Sequence, residues 1–136
     1  MVRFSKKWNN KAVEDCGAYM SKEAKSFVTA FKNMLKRELA DMGIEIVNIT
    51  PSHYDLSGMI KINGKYLYIR YDIPRWDEQI NFEQSDCMRG VLYRPAKHDH
   101  DWHGGRNRFC SIRSLPQSIR EIYTLDFAWK ECEKNR

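Results

Sequence analysis

The chain has 136 residues, of which 42% are apolar and 30% charged, with a formal net charge of +5. That length allows one hydrophobic core but not two, and no apolar run approaches the roughly 18–20 residues of a membrane-spanning helix. One globular domain covering residues 1–136 is expected, without a helical membrane span.

The basic start of the chain has no apolar stretch behind it, so it does not read as a secretory signal, and the expected location is the cytoplasm. Cys16, Cys87, Cys110 and Cys132 form no C-x-x-C pair, which argues against a zinc ribbon or a redox motif; reduced thiols are the simplest account. Charge is zoned. Residues 1–37 carry nine Lys/Arg against three Asp/Glu, 38–88 four against nine, 89–113 six against two, and 114–136 four against four. Two basic zones around an acidic middle suit docking on nucleic acid or on a partner's acidic face, and they equally describe an unevenly solvated surface.

Residues 1–20 form a basic segment, either an arm or a short helix. From Ser21 the apolar residues Ala24, Phe27, Val28, Phe31, Met34, Leu35, Leu39 and Met42 recur at the spacing of one buried helical stripe. Ser21 suits the N-cap of this helix and Gly43 its C-terminal end. Its other face offers Lys22, Lys25, Lys32 and Lys36 with Arg37 alongside, either a phosphate-tracking surface or a solvated one.

Ile44–Ile49 predicts a strand stopped by Pro51. Two alternating segments, 54–62 and 65–72, flank Asn63-Gly64 and predict a hairpin with a two-residue turn. That closure places Ile62, Ile60, Gly58 and Leu56 opposite Lys65, Leu67, Ile69 and Tyr71 on a core face. The reverse face then pairs Lys61 with Tyr66, Met59 with Tyr68 and Ser57 with Arg70. Alternating tyrosines and cations suit the stacking of bases, unless a second layer, the N-terminal arm or the last helix, covers them.

Residues 73–87 read as a long acidic loop anchored by Trp76, Ile80 and Phe82. Met88–Arg94 predicts a further strand closed by Pro95, and Asn107–Ile112 a last short strand or connector. Ser114-Leu-Pro-Gln117 predicts a helix with serine as N-cap, proline in the first turn and glutamine completing a capping box; Ile119, Ile122, Tyr123 and Trp129 form its apolar stripe.

The expected fold is therefore α+β: an N-terminal helix, an antiparallel sheet of three to four or more strands with an Asn-Gly hairpin, and a C-terminal helix packed on the sheet. Double-stranded-RNA-binding domains share that order, but the lysine cluster that opens their second helix has no counterpart in Leu115–Arg120. Restriction-type nuclease folds need Glu-x-Lys on a strand, and Tyr68–Asp72 lacks it.

Chemistry concentrates between Arg94 and Phe109. His98, His100 and His103 with Asp99 and Asp101 are donors that zinc, manganese or iron accept, and a small metal-dependent nuclease or hydrolase is one alternative. The H-x-H-x-x-H spacing resembles the metal loop of metallo-β-lactamase-type hydrolases, but Trp102 stands where their aspartate is needed. Cys110 or Cys87 activated by a histidine is another catalytic idea, supported by residue type alone. Binding makes fewer demands: Arg94, Lys97, Arg106 and Arg108 surround Gly104-Gly105 beside Trp102, a setting for phosphate or carboxylate contact. No cofactor is expected, and the catalytic reading ranks below binding.

Tyr54-Asp-Leu-Ser-Gly-Met-Ile-Lys-Ile-Asn-Gly-Lys-Tyr-Leu-Tyr-Ile69, Leu92-Tyr-Arg-Pro-Ala-Lys-His98 and Asp101-Trp-His-Gly-Gly-Arg-Asn107 carry a resemblance over about residues 44–112. The chain resembles small phage and prophage proteins of Gram-positive bacteria, a pool that includes anti-CRISPR proteins. The resemblance implies a non-enzymatic inhibitor in the bacterial cytoplasm, acting on a host CRISPR effector nuclease or its ribonucleoprotein, with direct RNA or DNA contact in reach. It would place shared function at Arg94, Lys97, Asp101, Gly104, Gly105 and Asn107, while the three histidines depart from the pattern. The binding set read from residues and resemblance together is Lys61, Tyr66, Tyr68, Arg70, Arg94, Lys97, Trp102, Gly104, Gly105, Arg106, Asn107 and Arg108. The alternative is a stand-alone single-stranded nucleic-acid-binding accessory protein.

Overall fold

A computed structural model describes residues 6–12, 21–52, 55–74, 78–102 and 106–134. Within them the chain is α+β, three α-helices and one antiparallel sheet. Helix α1 spans Lys22–Glu38, and its first turn is capped by Ser21, whose hydroxyl accepts the Ala24 N–H at 3.0 Å. A 3-10 turn, Ala40–Met42, follows and ends at Gly43. The apolar stripe of α1 buries Phe27, Val28, Phe31, Met34 and Leu35.

The sheet contains β1 (Glu45–Ile46), β2 (Thr50–Pro51), β3 (Asp55–Ile62), β4 (Lys65–Asp72), β5 (Val91–Ala96) and β6 (Arg108–Cys110). Its order is β1-β3-β4-β5-β6, with β2 also paired to β3. At the β3–β4 connection Asn63 and Gly64 take φ of 51° and 77°, and Ile62 lies opposite Lys65. From that register the two faces separate. Leu56, Ile60, Ile62, Leu67, Ile69, Tyr71 and Val91 point into the core, where Tyr71 meets Phe27 and Phe31 at ring distances of 5.8 and 6.4 Å.

Several expectations give way to tertiary structure. The Ile44–Ile49 strand is interrupted, because the Val47 and Asn48 N–H groups both turn to the Met59 carbonyl in a bulge and pairing resumes only at Thr50. Gly58 makes that crossing possible. It sits at φ 154°, and a Cβ there would lie 2.4 Å from the Asn48 carbonyl oxygen.

The fifth strand begins three residues later than expected and runs through Pro95, which pairs with Leu67. The Pro95 carbonyl accepts from Cys132 Sγ and Arg94 Nη1, so it points away from β4, and the missing N–H lies on that side, beyond the end of β6. Met88 to Gly90 instead form a turn in which Asp86 Oδ1 accepts the Met88 and Arg89 N–H groups.

The last helix is two helices, α2 (Leu115–Tyr123) and α3 (Asp126–Lys134). The break falls at Thr124, whose N–H and hydroxyl both return to the Glu121 carbonyl; Asp126 then opens α3 in the position where a carboxylate favours a helix start. The expected capping box is absent. Ser114 Oγ pairs with Ser111 Oγ at 2.8 Å, and Gln117 reaches forward to Glu121.

Helices α1 and α2 share the core face, tied by Arg120 to Asp41 and the Glu38 carbonyl. The third helix lies at the sheet's end: Ala128 enters the core, and Cys132 Sγ reaches the Pro95 carbonyl at 3.3 Å. In the segment before α1, Trp8 is buried edge-on against Phe27 and Asn9 accepts the Phe82 N–H, so residues 6–12 are packed rather than an arm. Ile80 and Phe82 anchor the acidic loop; Trp76 lies outside the described residues. Among the described residues no helix is long and apolar enough to cross a membrane.

Candidate interaction face

The reverse face of the sheet holds Ser57, Met59 and Lys61 on β3, Arg70, Tyr68 and Tyr66 on β4, Leu92, Arg94 and Ala96 on β5, and Phe109 on β6. It is not an open row of tyrosines. Met59 is fully buried, and Tyr66 and Tyr68 are half-buried. The covering layer is the 97–102 loop, whose Asp101 Oδ2 lies 4.0 Å from Cys132 Sγ of α3.

That loop is built from its own polar groups. Asp101 Oδ2 accepts the Lys97 N–H at 2.9 Å, the Asp101 N–H returns to the His98 carbonyl and the Trp102 N–H to the His100 carbonyl. Asn48 joins it to the sheet, accepting the Met59 N–H at 2.7 Å through Oδ1 and donating through Nδ2 to the Asp99 carbonyl at 3.1 Å. Arg94, only 2% exposed, fills the space beneath: its guanidinium lies 4.6 Å from the Tyr68 ring centroid and donates to the Asp101 carbonyl at 2.8 Å. A buried cation persists only with such compensation. Arg94 therefore positions the loop, and its side chain is out of a ligand's reach.

Trp102 rests edge-on against Tyr68 from the outer side, ring centroids 5.9 Å apart and planes at 80°, and stays 44% exposed. The remaining cations are largely engaged by the protein itself. Lys61 Nζ sits over the Tyr66 ring at 5.3 Å. Arg70 bridges Asp72 at 3.0 Å and Asp55 at 3.2 Å; the hydrogen bond it donates to Asp72 is the main cause raising its pKa above an ordinary arginine's. Base stacking on a Tyr66/Tyr68/Arg70 platform therefore has little free surface to use.

Elsewhere the candidate residues scatter. Lys97, Arg106 and Asn107 are exposed near the loop, whereas Arg108 pairs with Tyr93 on the other face of β6. Gly104, Gly105 and His103 lie outside the described residues. His98 and His100 are exposed, and His98 Nδ1 already accepts the His100 N–H at 3.1 Å. Among the described residues no three His, Cys, Asp or Glu side chains gather as a metal site would require. The thiol of Cys110 is pushed up to about 11 by burial, which makes it a poorer nucleophile at neutral pH.

What sequence reasoning missed lies one row along the sheet from Tyr68. Arg70, Asp72, Cys87, Met88, Gly90, Leu92 and Phe109 line an open cleft of about 160 Å³. Met88 is 77% exposed and Phe109 37%. Asp72 and Arg70 are the charged residues of its lining; Arg70 also bridges Asp55, and Asp86 accepts the Met88 and Arg89 N–H groups beside it. Strand alternation puts Phe109 and Leu92 on one face only once β5 and β6 are paired, at Leu92 opposite Phe109, so no local signal marked them.

Fold and face together define an α+β protein with one sheet face sealed by helices and the other partly open beside an exposed tryptophan. No protein-family model, no curated protein and no solved structure matches the chain.

Proposed function

We propose that the protein is a non-enzymatic inhibitor from a mobile element, an anti-CRISPR protein that docks on a CRISPR effector nuclease and blocks its engagement of target nucleic acid. The observation that carries this reading is the apolar cleft of Leu92, Met88 and Phe109, lined also by Asp72, with Asp55 and Asp86 bonded to its lining residues, one row from the exposed Trp102. Aromatic and methionine anchors inside a charged rim are the composition of binding hot spots. An acidic rim complements a positively charged surface, and the nucleic-acid channel of an effector nuclease is such a surface. The resemblance over about residues 44–112 to small phage and prophage proteins supports the same reading.

Co-purification with candidate effectors, with and without guide RNA, tests it. A true effector retains the protein and loses target binding, and Trp102→Ala weakens the complex by roughly 30-fold, the effect of losing an anchor of about 2 kcal/mol. Failure to associate with any effector, with or without guide RNA, overturns the proposal.

A further inference from the structure

The solvent side of α1 is basic and polar, unlike the apolar cleft on the sheet's reverse face. Its exposed residues are Lys22, Lys25, Lys36 and Arg37, with Ser26, Thr29 and Asn33 between them. At 100° per residue all seven fall within an arc of about 120°. They comprise four cations and three neutral side chains that donate hydrogen bonds, the residue types that contact nucleic-acid phosphates.

Acids are kept off this arc. Glu23 lies to one side, held by Lys11 at 3.3 Å, and Glu38 is half-buried next to Arg37. Lys32 turns away, its Nζ donating to the Ile49 carbonyl at 3.3 Å. None of the ion pairs among the described residues involves Lys22, Lys25 or Lys36. The opposite stripe of α1 is buried against Tyr71 on the core face of the sheet, so this ridge and the acidic-rimmed cleft lie on opposite sides of the molecule.

We infer that the exposed face of α1 binds the phosphodiester backbone of a nucleic-acid duplex. From Lys22 to Arg37 the ridge rises roughly 22 Å, which spans about six phosphates of one strand at about 3.4 Å of axis each. It carries no aromatic side chain on which an unpaired base could stack, which favours a duplex over a single strand. It also exposes no apolar side chain, the feature by which an amphipathic helix enters a lipid surface, which disfavours an anionic membrane. Binding through this face is independent of sequence and does not rest on the docking proposal, since it uses neither Trp102 nor the cleft.

The test is fluorescence anisotropy of the full chain against labelled 20-base-pair DNA and RNA duplexes, a single-stranded RNA, and vesicles containing phosphatidylserine, each at 50 and 200 mM salt. At least one duplex is expected to bind with a salt slope near −3 to −4, a loss of affinity on the order of 100-fold across that range. The two duplex arms separate DNA from RNA as the source of the phosphates. Lys25→Gln with Lys36→Gln should reduce the slope by about 2 units and weaken binding at least tenfold. Trp102→Ala should leave duplex binding unchanged. Absence of duplex binding at 50 mM salt, an unaltered affinity in the double variant, or tighter binding to single strands or vesicles than to either duplex would each overturn the inference, whatever the effector experiments show.

Discussion

Strands β3 and β4 meet two different environments through alternate residues of the same chain. Toward α1 they present Leu56, Ile60, Leu67 and Ile69, fully buried among aliphatic and aromatic side chains. Away from it they present Met59, Tyr68 and Arg70, where packing depends on a buried arginine, an asparagine bridge and a pair of aspartates. The first face is non-directional and closes by area alone. The second is held by a few directional contacts, and where those end the cleft begins. Stability and recognition are thus separated by strand alternation rather than by domain.

The core face is most sensitive at Gly58, where the bulge of the edge strand crosses β3. Gly58→Ala forces a Cβ against the Asn48 carbonyl at an unfavourable φ, and urea unfolding should show about 3–4 kcal/mol of lost stability. Arg94→Ala acts on the reverse face alone. It removes the support beneath the 97–102 loop and should cost about 2–3 kcal/mol while raising the mobility of Trp102, read from its fluorescence anisotropy. A parent-like unfolding midpoint for this variant would show that the loop holds without its arginine.

Alkaline pH probes the sealed face with the smallest effect. Cys110 rises from its ordinary 9.0 to about 11 through burial, and Tyr71 is also raised by burial. These groups stay neutral in the fold and ionise first in the unfolded chain, so the fold binds more protons above about pH 9. The Cys110 contribution is complete below pH 9 and is lost as pH rises toward 11, while the Tyr71 contribution begins to be lost only near pH 10. Between pH 8 and 10.5 stability should fall by roughly 1–2 kcal/mol, with a shallower slope in Cys110→Ala.

What the sequence discloses follows the range of the interactions. The stripe from Ala24 to Leu35 repeats at helical spacing and its cap at Ser21 is three residues from its partner, so α1 is legible locally. The alternation on either side of Asn63-Gly64 likewise distinguishes an inward from an outward set in the sheet. The interrupted first strand was hidden because it depends on Gly58 ten residues downstream of Asn48, and the two-helix C-terminus because nothing apolar is lost across Thr124. At the site, residue type singled out Trp102 and Arg94 without revealing that one is exposed and the other buried. Met88, Leu92 and Phe109 share a cleft only through strand pairing and a turn, neither of which composition encodes.

The anchors of the 97–102 loop come from remote parts of the chain: Asn48 lies 51 positions before Asp99, Cys132 lies 31 positions after Asp101, and Tyr68 comes from the middle of the sheet. Such a loop is not a portable module. A synthetic peptide covering 94–109, or the same residues transplanted onto another scaffold, would keep the arginines and the tryptophan but lose the ring beneath and the bridge alongside. The tryptophan's pose belongs to the assembled tertiary structure, and a mimic of it must reproduce a surface rather than a sequence.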